Sequence, residues 1–131
     1  MTKSYLMILG LILLFLGCSD SSMTTQTQFD SSINGKTIAY PLNQTFSLAL
    51  DVEADAGYQW DHNFSDTTVV HLDSTKFQPT YIGPITPGGG VRETLYFRTT
   101  KLGKCSVNLI EHRGWMPNVP PIHSVRFIVL V

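Results

Sequence analysis

The sequence predicts an all-β fold, an immunoglobulin-like antiparallel β-sandwich of seven to eight strands, and three observations predict it. From Thr37 onward, β-branched and aromatic residues alternate with polar ones at a period of two. Clusters of Gly, Pro, Asn and Asp interrupt that alternation at short intervals. No stretch of the domain carries a helical periodicity.

The strands follow in order. Phe46, Leu48, Leu50 and Val52 alternate with Ser47, Ala49 and Asp51, which gives one strand a single apolar face. Tyr58-Gln59-Trp60 opens the next, and Trp60 is assigned to the core, as the usual buried Trp of such sandwiches is. Residues 67–72 and 76–81 read as two short strands separated by Asp73-Ser74. Three more are expected over 93–99, 104–112 and 124–131. In the second of these, Cys105, Val107 and Leu109 share one face, and Ser106, Asn108 and Ile110 the other. Cys105 therefore reads as a small buried hydrophobe rather than a nucleophile. The intersheet cysteine pair of antibody domains is missing, which many sandwiches tolerate.

A chain of 131 residues holds one such domain. Its first 17 residues are set apart from it. After a lone Lys3, residues 4–17 carry no charge and are mostly apolar, the build of a signal peptide and too short to span a bilayer comfortably. Phe15-Leu16-Gly17-Cys18 resembles a bacterial lipobox, so Cys18 is expected to be lipidated and to become the N-terminus. Residues 18–32 are polar and read as a flexible tether, with the folded domain over 33–131. The implied location is the cell envelope, periplasm or surface, through an N-terminal lipid in the membrane; simple secretion is the alternative.

Composition excludes several function classes. Cleavage before Cys18 removes Lys3 and leaves 8 basic (9 minus 1) against 10 acidic residues, so no basic surface exists to hold nucleic acid. With Cys18 lipidated, Cys105 has no disulfide partner. His62, His71, His112 and His123 are scattered without ligand spacing, and neither a phosphate-binding loop nor a serine-nucleophile elbow is present. The expectation is a monomeric binding protein with no catalytic residues, metal or cofactor.

Three loops carry the unusual residues. The first is Glu53-Ala54-Asp55-Ala56-Gly57-Tyr58-Gln59-Trp60, where small residues and a glycine separate two strands. The second runs from Gly83 to Gly90, and its prolines and its Gly88-Gly89-Gly90 forbid regular structure while allowing close main-chain approach to another surface. The third, 112–121, carries Arg113-Gly114-Trp115, two residue types enriched at binding hot spots. Turn glycines and a folded-back Trp are the plainer readings; an Arg-Gly-Trp in a proline-rich loop favours exposure of Trp115.

In order and spacing these loops resemble the chagasin family of cysteine protease inhibitors, over about residues 33 to 131. The family's Asn-Pro-Thr-Thr-Gly-aromatic-x-Trp loop keeps Gly57, Tyr58 and Trp60 here but loses its head. Gly88, Gly89 and Gly90 stand where the family has Gly-x-Gly-Gly, and Arg113-Gly114-Trp115 where it has Arg-Pro-Trp. The resemblance implies a reversible inhibitor of papain-family cysteine proteases. Its first loop, with Asp55, Ala56, Gly57 and Tyr58, would enter the catalytic centre, while the other two grip the sides of the cleft. The charge of Asp55 either weakens that contact or pairs with a charged histidine of the protease, and the sequence leaves both open. A surface-anchored adhesion or carbohydrate-binding sandwich, with Tyr58, Tyr81, Tyr96 and Trp115 as an aromatic platform, is the alternative. A purely structural lipoprotein domain is weaker, for it leaves the three loops without a purpose.

Overall fold

A computed structural model describes residues 26–80 and 90–131. Cys18, the leader before it, and Gly88 and Gly89 lie outside the described residues.

Eight strands form two four-stranded sheets packed face to face. In chain order they are β1 (Thr27–Phe29), β2 (Thr37–Ala39), β3 (Thr45–Val52), β4 (Gln59–Phe64), β5 (Val70–Pro79), β6 (Val91–Thr99), β7 (Lys104–His112) and β8 (His123–Leu130). One sheet has the order β1-β3-β6-β5 and the other β2-β8-β7-β4. The four long ladders are antiparallel, whereas the three-residue edge strands β1 and β2 run parallel to β3 and β8.

The core is what the alternation demands. Phe46, Leu48, Leu50 and Val52 of β3 point inward to meet Leu95 and Phe97 of β6 and Cys105, Val107 and Leu109 of β7. Phe97 lies at its centre, stacked on Phe46 and edge-on to Phe64 and Phe127. Such offset and T-shaped contacts suit the ring quadrupoles. Trp60 is buried, and its indole N–H donates to the Asp51 carbonyl at 3.0 Å, so its one polar group is satisfied. The outer face of β3 is less exposed than alternation alone implies. Ser47 and Ala49 are small and sit in an interior strand between β1 and β6, and both are buried.

Two expectations need correction. The tether assigned to 18–32 includes residues that belong to the fold: 27–29 pair with 46–48, and a 3-10 turn over Ser31–Ile33 follows. Phe29 meets Phe46 edge-on and Ile33 is buried, so two apolar side chains in a polar stretch suffice to dock it. Residues 67–72 and 76–81 are not two strands. Val70–Pro79 is one strand with an irregularity between Leu72 and Ser74, and pairing to β6 resumes after it. The Asp73 carboxylate there takes a hydrogen bond from Arg98 Nε at 2.8 Å and lies 2.8 Å from His71 Nε2.

Candidate functional site

Ladder register brings the first loop, the third loop and the stem of the second to one pole. Val52 pairs with Val91, which also pairs with Pro79; Gln59 pairs with His112, and Glu111 with His123. The end of β3, the start of β4, the end of β5, the start of β6 and the turn between β7 and β8 therefore share an end of the sandwich. The 53–58 connection crosses from one sheet to the other. Its first strand neighbours β6 and its second neighbours β7, so it lies between a hairpin of each sheet.

The first loop is a 3-10 turn, Ala54–Ala56, closed by Gly57 at φ +81°. The Glu53 carbonyl accepts from the Ala56 N–H at 3.1 Å and the Tyr58 N–H at 3.3 Å, and Gly57 N–H donates to the Ala54 carbonyl. Asp55 and Ala56 are exposed, and Gly57 and Tyr58 half-buried. A left-handed backbone favours glycine at 57, and a second constraint acts there. A methyl group at Gly57 would collide with the end of the Trp115 indole. Trp115 thus covers Gly57 while staying 67% exposed, as expected for it.

Arg113 joins the first and third loops. Its Nε–H donates to the Ala56 carbonyl at 2.8 Å, and its guanidinium lies over the Tyr58 ring, 4.5 Å from the centroid. The planar, delocalised cation suits both contacts at once in a way an ammonium would not. Within the third loop, Met116 N–H donates to the Arg113 carbonyl and Val119 N–H to the Met116 carbonyl. Met116, Val119 and Ile122 join Trp115 among the exposed large apolar residues, so this loop offers an apolar surface beside Gly57.

The second loop is represented by its stem. Gly90 is exposed, and its carbonyl accepts from the Thr80 N–H at 2.9 Å. A Cβ at Gly90 would meet the Thr80 hydroxyl, which would have to turn aside to admit it.

Two buried carboxyl groups at this pole were missed by sequence reasoning. Glu111, 1% exposed, accepts from the Glu53 N–H through Oε1 at 2.9 Å and meets His123 Nδ1 through Oε2 at 2.7 Å. Glu93, 5% exposed on the inner face of β6, has its pKa pushed up to about 7 by burial and, secondarily, by the charge of Asp61. The signal was in the pattern: Glu111 falls in phase with Cys105, Val107 and Leu109, and Glu93 in phase with Leu95 and Phe97. His112 pairs with Asp61 on the outer face. Among the described residues no three His, Cys, Asp or Glu side chains group to hold a metal ion. The aromatic platform does not assemble, because Tyr58 and Trp115 are at the pole whereas Tyr96 lies along β6 opposite Ser47; Tyr81 is outside the described residues.

Similarity to known proteins agrees with this architecture. The cysteine protease inhibitor EhICP2 from Entamoeba histolytica superposes with a TM-score of 0.69 at 18% identity, covering 80% of this chain and 94% of its own. Amebosin superposes with a TM-score of 0.67, also at 18% identity, covering 81% of this chain and 97% of its own. No curated protein matches by sequence. The model of the family described as "Chagasin family peptidase inhibitor I42" matches residues 40–129, well over half of the chain and inclusive of all three loops. The chain belongs to the chagasin family and is an inhibitor of cysteine proteases, not an enzyme.

Proposed function

We propose that this protein blocks the active-site cleft of a papain-family cysteine protease, reversibly and as a monomer, with the three loops of one pole acting as a wedge. The observation that carries this reading is the docking of the first and third loops onto each other, with Trp115 seated on Gly57 and yet largely exposed. Asp55, Ala56, Gly57 and Tyr58 form the central edge that enters the cleft. Trp115 is a rigid apolar anchor on one flank. Gly88, Gly89 and Gly90 approach the other flank through their main chain, in the manner of strand addition. Arg113 acts inside the inhibitor, holding the first and third loops in register through Ala56 and Tyr58.

The arrangement forms no covalent bond and needs no cofactor. Inhibition follows from occupancy of the substrate site by a surface whose first and third loops are already docked onto each other, so those two loops lose little conformational entropy on binding. The apolar leader and the lipobox-like Phe15-Leu16-Gly17-Cys18 support a location outside the cytoplasm, with the inhibitor tethered to a membrane through lipidated Cys18.

The test is titration of the purified protein against papain, following hydrolysis of a peptide substrate, with Trp115→Ala beside the parent. The variant should stay folded and inhibit more weakly by about 2 kcal/mol, some thirtyfold. A folded Trp115→Ala that inhibits as well as the parent removes the third loop from the contact surface.

A further inference from the structure

We propose that Glu111 is a positioning residue for inhibition, a buried carboxylate that sets the first loop against the third. The inference rests on the reading of this pole as the inhibitory surface. Glu111 does not reach the outside of the protein; it acts through the groups it holds.

Each of its oxygens is committed to a different loop boundary. Oε1 takes the N–H of Glu53, the residue at which β3 of one sheet gives way to the first loop. Oε2 meets the ring of His123, the first residue of β8 after the third loop. The Glu111 main chain belongs to β7 of the other sheet, and its carbonyl accepts from the Ile122 N–H at 2.9 Å. One residue therefore ties the root of the first loop to both roots of the third.

The tie propagates into the wedge. With its N–H held by Glu111, Glu53 presents its carbonyl to the Ala56 and Tyr58 N–H groups, which shape the 3-10 turn. Ala56 in turn offers its own carbonyl to Arg113, two residues beyond Glu111. The first loop is thus gripped from the β7 side at two points, one buried and one exposed.

Stability alone does not account for such a carboxylate. Burying a carboxyl group this deeply costs desolvation, and replacing a buried ionisable pair by apolar residues of similar volume is often neutral or stabilising. What an apolar residue cannot do is hold the Glu53 N–H in direction, since that requires an acceptor oxygen at the right place.

The experiment compares Glu111→Leu, Glu111→Gln and His123→Ala in the purified protein by two measurements. One is NMR-detected amide exchange in the inhibitor alone, which needs no protease. In Glu111→Leu the amides of Glu53, Ala56 and Tyr58 should exchange at least tenfold faster, with the β7 and β8 core amides unchanged. Glu111→Gln keeps an acceptor oxygen for Glu53 and should remain within about threefold of the parent at those positions. His123→Ala should fall between the two. The second measurement is the inhibition constant for papain, expected to worsen tenfold or more for Glu111→Leu and to follow the same order. A residue that merely fills space would alter melting temperature without this loop-specific pattern. Parental exchange at Glu53, Ala56 and Tyr58 in a folded Glu111→Leu overturns the proposal. Should that variant not fold, parental exchange there in His123→Ala does so. If the parent fails to inhibit papain, the cleft-blocking reading falls, while the exchange data still decide the clamp.

Discussion

Gly57 is the point where backbone conformation and loop docking meet, and Gly57→Ala separates their effects. The backbone at 57 has φ +81°, a region that costs an L-residue about 1 to 2 kcal/mol. The new methyl also enters space held by the Trp115 ring, which must swing away. Trp115 is already 67% exposed, so its displacement removes only part of its packing, about 0.5 to 1 kcal/mol. The sum is near 2 kcal/mol, a fall in melting temperature of about 10 °C for a domain of this size. The loss of inhibition should be larger in proportion. A displaced anchor forfeits most of what Trp115→Ala forfeits, so the inhibition constant should rise at least tenfold. Two companions sharpen the reasoning. Gly57→Asn relieves much of the left-handed strain but still carries a Cβ, so it should recover stability without recovering inhibition. In a Trp115→Ala background, Gly57→Ala should cost only the backbone strain and weaken inhibition little further. Full additivity of the two losses, measured as inhibition constants and melting temperatures across that cycle, would refute the seating of Trp115 on Gly57.

Trp60→Ala should lower stability by about 3 to 5 kcal/mol by denaturant titration, because it empties a core site and orphans the Asp51 carbonyl; inhibition should be lost only with the fold. Glu93→Gln should flatten the pH dependence of stability. The parent's Glu93 titrates near 4.5 unfolded and about 7 folded, so its favourable contribution is present below 4.5 and lost as pH rises through 7. At pH 8 the variant should be the more stable, by up to about 3 kcal/mol, with the gap closing by pH 4; a gap that widens toward acid would reverse the assignment. Cys18→Ser should release the protein from the membrane fraction or leave its precursor unprocessed, and equal partitioning of both forms in a bacterial host would exclude the lipid anchor.

The long strands were legible because the core-facing side places a large apolar residue at every second position. Phe46 to Val52 and Cys105 to Leu109 show it, and β7 has the bounds expected of it. The edge strand β1 was not legible. Three residues hold too short an alternation, and what docks them is pairing with β3 and the contacts of Phe29 and Ile33. The irregularity in β5 was half legible: Asp73-Ser74 was seen to interrupt the pattern, but only the partner strand shows that the ladder continues past it. At the site, residue types and order were readable, whereas mutual contacts were not. Arg113 and Ala56 are 57 positions apart, and nothing local to either announces the bond between them.

Those contacts bear on the departure of the first loop from its family. Where members carry Asn-Pro-Thr-Thr, this chain has Glu53-Ala54-Asp55-Ala56, with no proline to restrict the backbone. A loop of such residues, left to itself, would lose considerable entropy on being fixed in a cleft. Here the order is supplied from outside the segment. Glu111 holds the N–H of its first residue, Arg113 holds the carbonyl of its last, and two hydrogen bonds to the Glu53 carbonyl close the turn between. Rigidity that proline would write into the loop's own sequence has moved to the strand and hairpin beside it. It follows that substitutions within 54–56 should be tolerated better than substitutions at 111 and 113, the reverse of what the position of the wedge tip alone would suggest.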